Sequence, residues 1–499
     1  MSSMWFALIG AVLASTAGAA EKIDVAVRRQ IAAGRQVGVL VLGQRQLLDG
    51  AKAFPRFCEA HKDRPRRELR AEVMKQLKAL AQNEQAKWHE ALPALDKGKK
   101  LWLVNGVAAT LGAEDIRKVA ALDSVRFVFA AGPIPLGGRV GKVAKVLPRQ
   151  KRQPFSVEGK QVPWNLKAVG ADRVWRELKV TGRGVVVAMF DAGVNYQHSD
   201  LRNNIWINPG ETANNGKDDD GNGLVDDYYG FNFRMMTPAV RARGLQQHGT
   251  WTSGIVAGDG SGGTVTGVAP EAQLMVLMAW GGLYAAARAH EYALAKGADV
   301  MNMSFSIPNL GEARGVWRLM SEQATAAGLV LVSGAGNFQR LPKPVQLRIP
   351  EGIPCVIAAG GVDRNLKVPG FVSLGPVEWA SVKMYGDHPM PRGLMKPDVC
   401  GFPGAGYPVL GVGGRKYIDP NRSIRGNSFS GPHVAGAAAL MLSAAPDLQA
   451  WQVKEILEAT AKDLGVLGKD NDTGAGLLNA FRAVKEAREH EPATPQAPR

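Results

Sequence analysis

Cysteine is scarce in this chain: Cys58, Cys355 and Cys400 are the only thiols in 499 residues. Three cysteines make no disulfide framework. A Cys355–Cys400 bridge and two buried free thiols both stay open. Long apolar runs are also missing. After residue 20 nothing approaches the roughly 20 apolar residues that span a bilayer. No glycine-rich phosphate loop follows a strand at the required spacing, which argues against a nucleotide-binding α/β enzyme. The basic residues are not interleaved with aromatics and sit on no recognisable nucleic-acid module, so nucleic acid is not an expected partner. Acidic residues are absent from Arg139 to Arg152, a stretch with six basic ones.

What is present divides the chain. The length predicts more than one domain. Met1 to Ala20 carries an apolar run from Trp5 to Ala14 and small residues to Ala19, as in a secretory signal peptide, though with no Lys or Arg ahead of it. The net charge of +16 is uneven. Residues 21–160 hold 28 basic and 14 acidic residues, leaving 33 and 31 for the rest. A solvated basic helical surface accounts for that excess.

Residues 21–131 read as a small α+β unit with a ferredoxin-like layer of antiparallel strands under two helices. Its strands are expected at Val37–Leu42, from Leu101 to Leu111 and at Val125–Phe129; its helices at Pro65–Leu92 and from Gly112. Residues 132–160, with four prolines, read as an exposed linker whose Arg149-Gln150-Lys151-Arg152 looks cleavable. Residues 161–486 alternate apolar strands (Val185–Phe190, Leu274–Met278, Val300–Met303, Leu329–Ser333, Val356–Gly360) with helices such as Tyr284–Lys296 and Gly311–Ala327. That pattern predicts an α/β fold with a doubly wound parallel sheet, whose sites gather at strand carboxyl ends. Residues 487–499, rich in Pro and Ala, read as a disordered tail.

Four positions carry chemistry. Asp191 ends the apolar strand Val185–Phe190, where an Asp before a turn is the plain alternative. His248 opens an apolar helix, although His is a poor ordinary cap. Asn337 follows Ser333-Gly334-Ala335-Gly336, whose glycines let a bound chain come close. Ser428 precedes a run of small apolar residues, Val434 to Leu442, that predicts a buried helix with Pro432 in its first turn. A serine at such an end meets free N–H groups and the positive end of the dipole; the bland reading is an N-cap.

Asp191-x-Gly193, His248-Gly249-Thr250, Gly336-Asn337 and Gly426-x-Ser428, in this order, resemble the subtilisin-like serine proteases, or subtilases. The order Asp, His, Ser differs from that of chymotrypsin-like proteases and α/β-hydrolases. The resemblance runs from about Trp164 to Lys485 and takes in Asn302-Met303-Ser304, Lys396-Pro397-Asp398-Val399 and Gly474-Ala475-Gly476. It implies a triad of Asp191, His248 and Ser428, with Asn337 at the oxyanion. Ser304, Phe305 and Ser306 together with Gly334, Ala335 and Gly336 would pair with substrate backbone. It also implies an inhibitor-like, folding-assisting prodomain in residues 21–131, hence a zymogen, polypeptide substrates, a monomer, a secreted or periplasmic location and no stable membrane insertion once the signal is cut. Departures are Ala192 where the family usually has Ser or Thr, Asn427 where Thr is usual, and Ser306 where Gly is common. They bear on rate and specificity.

Five Asp fall within Asp218–Asp227, and Asp218, Asp220, Asn222, Gly223 and Asp226 follow the first part of an EF-hand loop. Tyr229 replaces the closing Glu, so an EF-hand is rejected. A structural calcium is expected on Asp218, Asp220, Asn222, Leu224, Asp226 and Asp227, and Asp200 resembles a further family ligand; a solvated acidic turn is the alternative. The second functional reading is a catalytically weak or inactive, calcium-stabilised binding protein on the same scaffold.

Overall fold

The computed structural model describes residues 20–134, 142–144, 146–147, 154–242, 247–308, 310–404, 406–411, 415–419 and 424–490. The signal-peptide expectation, Arg149–Arg152 and most of the tail lie outside these residues.

Strands β1 (Val37–Gly43), β2 (Lys99–Leu101), β3 (Gly106–Leu111) and β4 (Val125–Ala130) form an antiparallel sheet in the order β2-β3-β1-β4. Side chains alternate between faces along a strand, and both faces of this sheet are apolar. Val37, Val39 and Val41 join Val107 and Val128 under Val27, Trp88 and Ile116 of the unit's own helices. Leu40, Leu42, Ala108 and Phe129 instead share a core with Tyr284, Ala285, Leu319 and Met320 of the larger unit. The expected helices appear as α3 (Arg66–Ala91) and α4 (Ala113–Ala120). Two others, α1 (Val25–Ala32) and α2 (Ala53–His61), were not expected; both are short, and α2 is held by Phe54 and Phe57 edge-on to Trp451.

Arg66 anchors the start of α3. Its guanidinium donates to the carbonyls of Pro446 (3.1 Å) and Gly328 (3.0 Å) and to Asp299 Oδ1 (2.9 Å). The Glu291 carboxylate accepts the N–H groups of Trp102 (2.5 Å) and Leu103 (3.0 Å). The linker is less free than its composition suggests. Val143 is buried in the core of the larger unit, and Phe155 packs edge-on against Trp175.

The larger unit is built on an all-parallel seven-stranded sheet, β5 (Val186–Phe190), β6 (Gly230–Asn232), β7 (Gln273–Met278), β8 (Val300–Met303), β9 (Val330–Gly334), β10 (Ile357–Gly361) and β11 (Val399–Gly401), ordered β11-β10-β9-β8-β5-β7-β6. The five strands predicted for this unit are each found within a residue of their expected bounds, whereas the stretch expected as strand from Leu101 to Leu111 is split between β2 and β3. Chain order reverses at β5, with β7 on one side and β8 on the other. That switch point is where an open α/β sheet leaves a crevice at its carboxyl edge. The helices include α5 (His248–Ala257), α6 (Leu283–Ala295), α7 (Ala313–Ala326), α8 (Asn427–Ala444), α9 (Ala450–Thr460) and α10 (Ala480–Glu489). The expected domain end at 486 falls inside α10, because Val484 and Ala487 continue its buried stripe. Cys355 and Cys400 are buried and free, as is the half-buried Cys58.

Candidate active site

The carboxyl ends of three adjacent strands meet here. β5 delivers Asp191, β8 delivers Ser304, and β9 delivers Ser333 to Gly336. Helix α5 starts immediately above β5. A Cβ on Gly249 would lie 2.3 Å from the Gly193 carbonyl, so only glycine allows this approach. It brings His248 Nδ1 to 2.8 and 2.9 Å from the two Asp191 oxygens. A carboxylate only accepts, so Nδ1 carries the hydrogen and Nε2 keeps its lone pair for a second partner. Asp191 is 1% exposed and His248 35%: the acid is sealed and the base open. Two further donors hold the acid, the Ala192 N–H (2.7 Å) and the Thr252 hydroxyl (3.1 Å). Thus a hydroxyl reaches the carboxylate from α5, although residue 192 has none. Burial pushes the imidazole's pKa down, but the charge and hydrogen bonds of Asp191 outweigh it, and the net shift is upward.

Ser428 is the second residue of α8. Pro432 therefore lies in the second turn, not the first. It has no N–H to offer the carbonyl four residues back, which is that of Ser428. The Ser304 hydroxyl donates to that carbonyl instead, at 3.0 Å. The Ser428 hydroxyl donates to the Ser304 carbonyl at 3.2 Å. The structure thus joins Asp191 with His248, and Ser428 with Ser304. Among the described residues, no hydrogen bond joins His248 to Ser428.

Asn337 stands exposed at the end of the β9 turn. Its Oδ1 accepts the Asn427 N–H (2.8 Å), and its amide Nδ2 lies against Gly426, 2.9 Å from where a Cβ there would stand. Asn427 pins the same turn a second time, its Nδ2 donating to the Gly336 carbonyl at 2.6 Å. A Cβ on Gly334 would lie 2.3 Å from the Asn427 carbonyl, so that glycine lets β9 touch the head of α8. Phe305 is buried against Phe190 and Trp317. Ser306 donates its hydroxyl to Glu351, whose carboxyl burial pushes up to about 7. Lys396 and Asp398 lie elsewhere, as a buried ion pair (2.5 Å), with the Lys pushed down to about 8 by burial.

The acidic loop closes on itself. Asp218 accepts the N–H groups of Asn222 (3.0 Å) and Gly223 (2.7 Å), and Asp226 those of Asn215 (3.0 Å) and Gly216 (3.1 Å). Asp227 accepts from Tyr292 (2.6 Å) and from Asn222, and the Leu224 N–H donates to Asn222 Oδ1 (2.8 Å). Among the described residues, Glu211, Asp218 and Asp220 form the one group of three such side chains whose ligand atoms lie within 4.8 Å of one another. Glu211 Oε2 and Asp220 Oδ1 are buried without partners. Burial and the nearby Asp227 and Asp220 charges push Glu211 up to about 7. Oxygen donors of this kind fit calcium, although the Lys296 ammonium already pairs with Asp220. Asp200 lies apart: its oxygens accept from Tyr417 (2.6 Å) and the Gly262 N–H (2.8 Å).

Sequence reading missed Thr252, Glu211 and the role of Asn427. Thr252 stands one helical turn after His248, a spacing that could have drawn notice. Glu211 sits outside the Asp run, and no local pattern marks it.

The model of the subtilase family matches residues 182–476. Subtilisin DY of Bacillus licheniformis is 30% identical over 331 residues, 65% of this chain and 99% of that protein. Fervidolysin of Fervidobacterium pennivorans is 28% identical over 344 residues, 64% of this chain and 43% of that protein. Subtilisin-like protease 1 of Plasmodium berghei is 26% identical over 347 residues, 68% of this chain; the match spans 56% of that protein. The chain belongs to the subtilase family.

Proposed function

We propose that this protein is a secreted or periplasmic serine endopeptidase, made as a zymogen whose N-terminal unit, residues 21–131, inhibits it and assists its folding until the 132–160 linker is cut. The observation that carries the reading is the Asp191–His248 pair at 2.8 Å, placed at the same sheet edge as a serine on a helix N-terminus.

The chemistry follows. The Ser428 hydroxyl turns from Ser304 toward His248 Nε2, gives up its proton and attacks the peptide carbonyl. Asp191 holds the imidazole in the right tautomer and stabilises its charged form. The oxyanion is met by Asn337 Nδ2 and the Ser428 N–H, both preorganised. His248 then protonates the leaving amine, and water repeats the sequence on the acyl-enzyme. Substrate backbone lies between Ser304–Ser306 and Gly334–Gly336 as an added strand. Calcium, held by Glu211, Asp218 and Asp220, serves structure only. No described helix is long and apolar enough to cross a membrane.

The test is processing. Purified wild-type protein should show a mature N-terminus within 132–160 by intact mass, and Ser428→Ala should keep the N-terminal unit attached. Identical processing in both would overturn the zymogen reading. The bond from the Ser428 hydroxyl to Ser304 favours one alternative, a non-catalytic binding protein on this scaffold. On that reading peptide mixtures would bind and stay uncut.

A further inference from the structure

A cavity of about 620 Å³ opens beside Asn337. Phe338, Arg340, Arg348, Phe371 and Arg425 form its walls, and none of its lining residues is acidic. The guanidinium of Arg348 lies 3.6 Å from the Phe338 ring centre, and that of Arg425 lies 4.9 Å from the Phe371 ring centre. Stacking fixes a guanidinium plane and leaves its edge N–H groups free for a planar acceptor. No carboxylate among the described residues lies within 4.0 Å of any of the three guanidinium groups as an ion pair. Glu351, fully buried, accepts the Arg348 backbone N–H at 3.0 Å and also feels the Arg348 charge, but makes no ion pair with it.

General basicity does not explain this cluster. Outside residues 21–160 the chain carries 33 basic and 31 acidic residues, nearly balanced. Three arginines with no ion pair among the described residues, around one cavity, are therefore a local concentration of positive charge. The cavity shares Asn337 with the candidate active site, and Arg425 is three residues from Ser428. An extended peptide advances about 3.3 Å per residue. Because the cavity shares Asn337 with the site and is walled by Arg425, a side chain in it belongs to a residue close to the bond at Ser428.

We propose that this cavity is a carboxylate subsite, and that the protein prefers polypeptides bearing Asp or Glu within two residues of the bond it cuts. The proposal rests on the peptidase reading. A carboxylate fits the paired N–H edges of a guanidinium, while a substrate Lys or Arg would face like charge in a partly enclosed site.

The test uses the purified protein and quenched peptides that differ at one position. Glu, Gln or Lys is placed in turn at the two residues on either side of the cleaved bond, and mass spectrometry fixes that bond. At one of these positions kcat/KM for Glu should exceed that for Gln, and exceed Lys by roughly tenfold or more, the size of one charge-assisted contact. Raising salt should shrink the Glu-to-Gln ratio in the wild type, a readout that needs no variant. Arg348→Gln and Arg425→Gln should bring the ratio toward one. Equal rates at every position, or a ratio unmoved by salt and by both substitutions, would overturn the subsite while leaving the peptidase reading intact. Failure to cut any peptide, with Ser428 unlabelled by a fluorophosphonate, would remove both.

Discussion

Two groups of carboxylates behave in opposite ways. Asp191 takes its hydrogen bonds from elements around it: Ala192 at its own strand end, and His248 and Thr252 on α5. Every bond fixes the direction in which its charge acts, and that direction is the imidazole. The Asp218–Asp227 loop spends its carboxylates largely on its own backbone, at Asn215, Gly216, Asn222 and Gly223. What remains there is a pair of buried unpartnered oxygens, on Glu211 and Asp220. A carboxylate held from outside can tune a partner. Carboxylates that fold a loop onto itself repel one another, and a cation relieves them. The first arrangement should govern rate, the second stability.

Substitutions can break that contrast. The largest expected effect is at the proposed triad: Ser428→Ala or His248→Ala should lower kcat by about 10⁶, the size found in a related subtilisin rather than one obtained for this chain. Asp191→Asn should cost about 10⁴ in kcat. It should also move the pH profile. The imidazole must be neutral to accept a proton, so activity rises with pH through the His248 pKa, which lies above the ordinary 6.5. Removing the Asp191 charge lets burial dominate, and the rise should shift to lower pH. Asn337→Ala should reduce kcat by about 10²–10³ with little change in KM, again on a subtilisin scale.

The smallest expected effect on turnover lies at the loop. Chelation, or Glu211→Gln with Asp220→Asn, should leave the kcat of folded enzyme unchanged and lower Tm by roughly 5 °C. That figure corresponds to a cation present at about 100 times its Kd, worth about 2.7 kcal/mol. Calorimetry with calcium and with EDTA measures it. A loss of kcat at constant Tm would reverse the division between the two regions.

The parallel sheet was legible because its strands are continuous apolar runs between helices, a pattern set by burial on both faces. The four catalytic candidates each sit at a sequence landmark: a strand end, a helix start or a glycine turn. Helices α1 and α2 were not legible, since α2 depends on Trp451, nearly 400 residues away, to cover Phe54 and Phe57. Pro432 falls a turn further into α8 than the local pattern predicts. Its cost is met by Ser304, a partner 124 residues upstream of Ser428. Glu211 and the Arg348–Arg425 cavity likewise exist only once distant segments meet, so no local pattern announces them.

Activation of Ser428 by Asp191 and His248 is the central step of the proposed chemistry. Fluorophosphonate labelling followed by peptide mapping, on wild type and His248→Ala, tests this directly. Wild-type protein should carry the label on Ser428, at a rate that climbs with pH through the His248 titration, and His248→Ala should label at least about a thousandfold more slowly. Label on another residue, or equal rates in the two proteins, would contradict it.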